Sequence, residues 1–465
     1  MPVSTPHPLY SLAISRWQLV RDAVAGQEEV KLRGTRYLPA TFAKTDPDRY
    51  EQYISRAYWM GMTGRTKEAL TGMVFRKSPS KDLPPALEAM IEDIDGAGQS
   101  LEQLAKDIVG DEMTVGRYGL LVDYPDAPMG MDSETERSMG LRPTIAAYPS
   151  ESIINWRFEG VKGRKQLTLV VLRESVETDT GDEFSYNYEW RYRVLRLREG
   201  VYTQAVYDEG GRLTEEEYTP RMAGGLPFDH IPFHMIGSTN NFPDPDVAPL
   251  YDLAVLNIGH YQVTADHREN LFVHGQMTLG IAGKMTYEEF KAANPNGVMV
   301  GARQGHYLGE GGSFTSVTAP ESSSLRTALQ DIESQMVALG ARLVRSGGGA
   351  ETAEAARINA SAEASTLDNL VNNVSEGIEA ALEDMARFIG VDPDLVQYRL
   401  NNQFWDANLS SQDLQAIQGG VGTLYGALDA LEMIRAGRIF LRDDRDNEQI
   451  QQDASATFVP DPEEI

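Results

Sequence analysis

Seven histidines and no cysteine set the limits of the acid–base and metal chemistry this sequence can carry. Without thiols, disulfides, thiolate nucleophiles and Cys-based zinc sites all drop out, as fits a reducing cytosol. His260, His267 and His274 fall seven apart on one expected helix, about 10 Å per step along its axis, too far to chelate one ion. That spacing reads as a polar helix face. His230 and His234 flank Pro232 on an extended run, where four residues span about 13 Å, so they are not expected to act as a pair. Gly61-Met62-Thr63-Gly64-Arg65-Thr66 has the outline of a phosphate loop, but it lacks the Gly-Lys-Ser/Thr ending and a preceding strand, and reads as an interhelical turn. Gly347-Gly348-Gly349 is followed by Ala350-Glu351, a carboxylate where a phosphate would lie. There is no Gly-x-Ser-x-Gly elbow, His-Glu-x-x-His helix or EF-hand loop. Paired acids without a pocket license no glycosidase reading. The sequence therefore predicts no catalytic residue, no cofactor and no metal.

The elements that would position any functional group are long helices. Leu325, Leu329, Ile332, Met336, Leu339 and Leu343 recur at alternating steps of four and three, the single apolar seam of a helix that packs lengthwise. The glycine triplet then releases the backbone. A second pattern runs from Ala353 to Ile389, with Leu367, Leu370, Val371, Val374, Ile378, Ala381, Met385 and Phe388 on one face, and stops at Gly390 before Asp392-Pro393. At about 1.5 Å per residue it spans more than roughly 50 Å if continuous. Gly377 or Asn372-Asn373 could bend it. Rod, loop and rod suit a mechanical part better than a pocket.

Residues 9 to 80 read as helices with loops, Tyr50, Tyr53, Ile54, Ala57, Tyr58 and Met62 forming an apolar stripe. Pro84-Pro85 marks a break. A short amphipathic helix through Leu87, Met90, Ile91 and Ile94 follows, then another from Leu101 to Val115. Gly119–Tyr124, Thr144–Tyr148, Leu167–Leu172, Tyr188–Leu197 and Val201–Tyr207 are β-branched or aromatic runs expected to be strands, with a hairpin turn between Tyr207 and Leu213. Ile231, Phe233 and Met235 suggest an edge strand, since proline donates nothing to a ladder. A proline-rich connector at 241–246 precedes a helix from about Val247 to His274, with Pro249 in its first turn. A compact insert from Gly275 to Pro320 contains strand-like Met277–Ile281, a helix at Tyr287–Ala293, a turn at Asn294–Gly297 and strand-like Val298–Val300. A last helix carries Leu414, Ile417, Val421, Leu424, Leu428 and Leu431, and the acidic end from 443 is expected to include a disordered tail. The fold class is α+β.

The net charge of −27 is uneven: the first 80 residues hold 12 Lys/Arg against 7 Asp/Glu, the remainder 30 against 62. An acidic body repels phosphate, so tight nucleic-acid binding by counterion release is excluded. A surface past which DNA slides without sticking is compatible. No uninterrupted apolar window long enough to span a bilayer is present. The polar start after Met1-Pro2-Val3-Ser4 argues against a secretory signal.

The order of elements and a set of local phrases resemble the portal proteins of tailed bacteriophages, in a group often labelled only as a phage domain of unknown function. The phrases are Tyr37-Leu38-Pro39, Tyr50-Glu51-Gln52-Tyr53, Val74-Phe75-Arg76-Lys77, Pro149-Ser150-Glu151-Ser152-Ile153-Ile154-Asn155-Trp156, Leu256-Asn257-Ile258-Gly259-His260-Tyr261 and Met336-Val337-Ala338-Leu339-Gly340-Ala341-Arg342. The resemblance covers the chain up to about residue 400. It implies an α+β wing at 1–245, a stem helix at 246–274, a small α/β clip at 275–320 and a second stem helix at 321–344. A tunnel loop at 345–352, a long returning wing helix at 353–408 and crown helices with an acidic tail at 409–465 complete it.

The resemblance further implies a homo-oligomeric, dodecameric ring at one capsid vertex of the virion, assembled in the host cytoplasm, through which double-stranded DNA passes without sequence specificity. The clip would meet terminase and later a head-completion adaptor or tail protein, and the wing would meet major capsid or scaffold protein. ATP hydrolysis would belong to the terminase, and no membrane is involved. Arg342, Arg345, Ser346, Gly347, Gly348 and Gly349 would line the channel, the arginines alternatively pairing with carboxylates of neighbouring subunits. Lys284, Arg303 and His306 would contact clip partners, or be ordinary exposed polar residues. The seam of the second stem helix would pack on neighbouring subunits while its polar face lines the channel. Two other classes stay open: an intracellular hydrolase with a carboxylate-bound metal, and a capsid-associated adaptor.

Overall fold

The computed structural model describes residues 2–124, 141–161, 163–178, 181–275, 278–295, 297, 306–317, 323–344, 353–402 and 404. The chain divides into compact units Met1–Leu400 and Asn401–Ile465, and the described helices and strands belong to the first. The expected last helix and acidic tail lie outside the described residues, as do Val298–Val300.

Helices dominate the start: α1 (Pro8–Ala25), α2 (Gln27–Leu32), α3 (Pro47–Arg56) and α4 (Met62–Val74). Asp46 accepts the N–H of Arg49 and Pro47 fills the first turn of α3, two local reasons for a helix to begin there. Gly61, expected in a turn, is the residue at which α4 starts. Then come β1 (Ser80–Asp82), the short α5 (Pro85–Glu88) and α6 (Leu101–Val115). Ser100 caps α6, and Gly116, left-handed at φ 72°, ends it.

The sheet region comprises β2 (Arg117–Asp123), β3 (Thr144–Pro149), β4 (Ile153–Val161), β5 (Arg164–Thr178), β6 (Asn187–Arg198), β7 (Val201–Asp208), β8 (Leu213–Tyr218) and β9 (Phe233–Gly237). Strands β4 to β8 form an antiparallel meander, and β3-β2-β9 a second sheet with β9 at its edge, as Pro232 requires. The rest follows as α7 (Tyr251–Gly275), β10 (Thr278–Ala282), α8 (Tyr287–Ala293), β11 (Ser313–Val317), α9 (Ser323–Val344), α10 (Ala353–Ile389) and β12 (Gln397–Arg399). Strand β10 pairs with β11 and β1 with β12, both antiparallel. Pro249 precedes α7 rather than opening it, because the N–H of Leu250 is tied to the carbonyl of Met113.

The core lies where α6, β2, β9 and α10 meet. Leu104, Ile108 and Val109 of α6 are fully buried, as are Leu120 and Val122 of β2 and Ile236 of β9. Helix α10 runs unbroken for 37 residues. The side chains expected on its apolar face, Leu367 through Phe388, are all buried. Gly377 does not bend it. A Cβ there would lie 2.4 Å from Ile236 Cγ1, so glycine is what lets α10 press against β9. Asn373 docks as well, its Nδ2 donating to the Gly237 carbonyl at 2.8 Å while its own carbonyl accepts from Asn241 at 3.0 Å.

Candidate functional site: the two-helix unit and the cleft beside the long helix

Helices α7 and α9 pack along each other, and α9 also meets α4. The seam on α9 therefore rests in part on α7 and α4 of its own chain. Met336 is fully buried, while Leu325, Leu329, Ile332 and Leu339 are half-buried. Outward, Arg326, Gln330, Asp331, Ser334 and Gln335 form an exposed polar face. His260 corrects an expectation. It is 3% exposed, with Nε2 3.2 Å from Glu333 of α9 and Nδ1 3.4 Å from Thr264 Oγ1, a packed tie between the two helices.

The N-terminal helices clamp α7 through polar groups. Asn257 donates to the Met60 carbonyl at 2.7 Å and accepts from Thr63. Tyr53 donates to Asp266, Arg56 pairs with Glu269, and the Arg56 guanidinium stacks 4.0 Å from the Phe272 ring. Thr63, inside the glycine motif, thus anchors a helix rather than a phosphate.

Between α7 and α9 the insert bonds to itself. Thr286 and Glu289 form a capping box on α8, and Asn294 Nδ2 donates to the carbonyls of Phe290 and Tyr307. Lys284 is exposed and pairs with Glu310 at 3.3 Å, and His306 sits edge-on to Phe314 at 6.1 Å. Tyr287 and Tyr307 are 73% and 67% exposed. Arg303, Arg345, Ser346, Gly347, Gly348 and Gly349 lie outside the described residues. Arg342 is on the last turns of α9. Of the candidates, Lys284 and His306 are therefore described in the insert and Arg342 on the end of α9.

A cluster that sequence spacing rejected lies elsewhere. Asp384 of α10, wholly buried, accepts from His230 Nε2 at 3.0 Å and from His234 Nε2 at 2.9 Å, and also pairs with Arg387. His230 Nδ1 meets Asp229 at 3.0 Å. The 13 Å separation assumed an extended run, but the N–H of Phe233 donates back to the Ile231 carbonyl at 2.7 Å, a three-residue turn centred on Pro232. That turn brings both imidazoles to one carboxylate. Burial disfavours the Asp384 anion, yet its bonds to the two histidines outweigh this and hold the carboxyl far below the usual range. Burial also lowers His230, but Asp384 and Asp229 together raise it above an ordinary imidazole. The signal available in the sequence was an acid at 384 on the apolar face between Ala381 and Phe388.

Both histidines line an open cleft of about 440 Å³ between Phe158 and Lys165–Leu167 of the meander, β9, and Glu376, Gly377 and Ala380 of α10. A second buried pair sits behind β2. Arg117 is 1% exposed and stacks 3.9 Å from Trp156, with Nε and Nη1 lacking a partner. Burial draws it down to about 9, against the pull of Asp244, Glu112 and Tyr10. Glu112 is fully buried with neither carboxylate oxygen bonded. Burial, with Asp111 and Asp246, pushes it well above an ordinary carboxyl against the pull of Arg117. Among the described residues, no group of three His, Asp or Glu is placed to hold a metal ion, and no helix is long and apolar enough to cross a membrane.

A family model described as Domain of unknown function (DUF4055) matches residues 249–389, from the approach to α7 through the end of α10. This agrees with the resemblance read from the sequence, whose phrases at Leu256–Tyr261 and Met336–Arg342 fall inside it. No curated protein matches the chain. Among solved structures, the chain is similar to one described as the neck of an empty GTA particle computed with C6 symmetry, at 12% identity and TM-score 0.43, covering 85% of this chain and 92% of that one. It is also similar to one from the virion of a native gene transfer agent particle, at 14% identity and TM-score 0.41, covering 81% and 89%. A third, described as the neck of a native GTA particle computed with C12 symmetry, gives 13% identity and TM-score 0.42, covering 80% and 89%.

Proposed function

We propose that this chain is a phage portal protein: a structural subunit that closes with identical copies into a dodecameric ring at one capsid vertex, forming a conduit for packaging and ejecting the genome. The observation that carries this reading is the polar face of α9, Arg326 to Gln335, set opposite a seam that is only half covered by its own chain. Repeated around an axis, such helices make a wall that is polar but not basic, along which a polyanion moves without being held. The family match over the helix–insert–helix–loop–helix unit supports it.

In this reading 1–245 is the wing, α7 and α9 the stem, and the insert the clip, where Lys284, Arg303 and His306 meet terminase and later the head-completion adaptor. Arg342 and Arg345 with Ser346, Gly347, Gly348 and Gly349 form the channel constriction. Residues 353–408 return to the wing, and 409–465 form the crown. Major capsid or scaffold protein meets the wing. The chain acts in the virion and hydrolyses nothing. Class-averaged electron images of purified protein test this: closed rings with a central hole are expected, and globular particles without one would contradict it.

A further inference from the structure

Strands β5 and β6 outrun their neighbours. The pairing of β4 with β5 ends at Leu172 and that of β7 with β6 at Arg191. Beyond those points Ser175–Thr178 and Asn187–Trp190 pair only with each other, as a tongue. Its aromatic residues are exposed: Phe184 81%, Tyr186 69%, Tyr188 60% and Trp190 44%. The turn is built, since Asp182 accepts from the Phe184 N–H at 3.0 Å and from Ser185 Oγ at 2.9 Å. Glu177, Asp182, Glu183 and Glu189 make the tongue acidic, and no Lys or Arg lies between Arg173 and Arg191. A two-stranded ribbon gains little stability from such residues by itself, so an exposed aromatic set marks a contact surface.

The cleft lined by His230 and His234 lies at the other end of the same strand, where Lys165, Gln166 and Leu167 form one wall. From Gln166 to Thr178 the strand spans roughly 40 Å. At about 440 Å³ the cleft is in the range that encloses small aromatic groups, roughly 300–1,000 Å³. Phe242, 63% exposed, extends its apolar wall edge-on to Phe158 at 6.4 Å. The lining carries the exposed Lys165 ammonium and the Glu376 carboxylate, with the His230 and His234 imidazoles tied from behind to Asp384.

We propose that the tongue of one copy seats Phe184, flanked by Tyr186, in this cleft of the next copy. Knob and hole stand at opposite ends of one strand, as a head-to-tail interface that closes a ring requires. The acids of the tongue meet Lys165 at the wall of the cleft, and the occupant is a second copy of this chain. The contact rests on the ring reading.

The cysteine-free sequence makes the test clean. Phe184→Cys combined with Ala380→Cys, treated with a short bis-maleimide, is expected to give a ladder of covalent multimers on a denaturing gel. Each single variant stays monomeric there. Gln166→Cys in place of Ala380→Cys repeats the test without touching α10. Phe184→Ala with Tyr186→Ala, both at exposed positions, is expected to raise the concentration needed for assembly about tenfold, with an unchanged circular dichroism spectrum. Rings of full mass with no ladder from either pair overturn this contact and leave the ring standing. Absence of rings in the unsubstituted protein overturns both.

Discussion

Helices α9 and α10 each carry one apolar face, but only α10 has that face closed within its own chain. Leu370, Val371, Val374 and Ile378 of α10 are 2% exposed or less, whereas among the described side chains of α9 Met336 alone is fully buried and Leu325, Leu329, Ile332 and Leu339 along the seam are half-buried. The difference continues outward: around α10 the polar groups are tied to β9 and the loop before it, while around α9 the insert leaves Tyr287 and Tyr307 in solvent. One region holds the fold. The other, in the proposed function, is finished by assembly.

The largest effect on the α10 side is expected from Asp384→Ala, which leaves His230, His234 and Arg387 without their shared acceptor. Breaking a buried ion pair costs about 3–5 kcal/mol, and denaturant unfolding measures it. Gly377→Ala comes next. Its Cβ would lie 2.4 Å from Ile236 Cγ1, and overpacking of that kind costs about 1–3 kcal/mol in the same assay.

Glu112→Gln works in the opposite direction. A carboxyl held above its unfolded value weakens the fold as pH rises past about 4.5, so the amide should be near neutral at pH 5. By pH 8 it should gain roughly 1–3 kcal/mol. The Asp384–His230 tie gives a smaller pH signature with two signs. Asp384 is depressed, so its contribution is present above about pH 4 and lost on acidification. His230 is raised, so its contribution is complete below its ordinary 6.5 and lost as pH climbs through its higher folded value. His230→Gln should flatten the alkaline slope of Tm by about a degree or two.

Smallest of all, on the α9 side, Tyr287→Ser with Tyr307→Ser should change the stability of the unassembled chain by less than about 0.5 kcal/mol, as exposed positions do. The same pair should weaken assembly or partner capture. A large loss of monomer stability from these exposed tyrosines would erase the contrast between the two regions.

Much of the scaffold was legible because its signals are local. The bounds Ala353–Ile389, Leu101–Val115 and Tyr287–Ala293 follow from periodicity, caps and glycines at their ends. Strands β1, β11 and β12 escaped because their pairing is non-local: β1 finds its partner more than 300 residues away, Ser80 against Arg399. Strand β4 escaped too, although it pairs locally with β5, Val161 against Arg164. The histidine pair was misread for a similar reason. Spacing along a strand says nothing of a turn at Pro232, and the carboxylate that unites the rings lies 150 residues beyond His234. His260 on α7 looked polar because its partner Glu333 sits on a helix reached only after the insert. The aromatic tongue left a plain trace, alternating Tyr186, Tyr188 and Trp190, but its exposure depends on where the neighbouring strands stop.

The ring itself is tested most directly by the native mass of the purified full-length chain at moderate salt, measured across a range of concentrations. A closed oligomer of about twelve copies that persists on dilution is expected, as a cyclic assembly with every interface filled should. A stable monomer under every condition, with α9 and the insert unchanged by concentration, would contradict it.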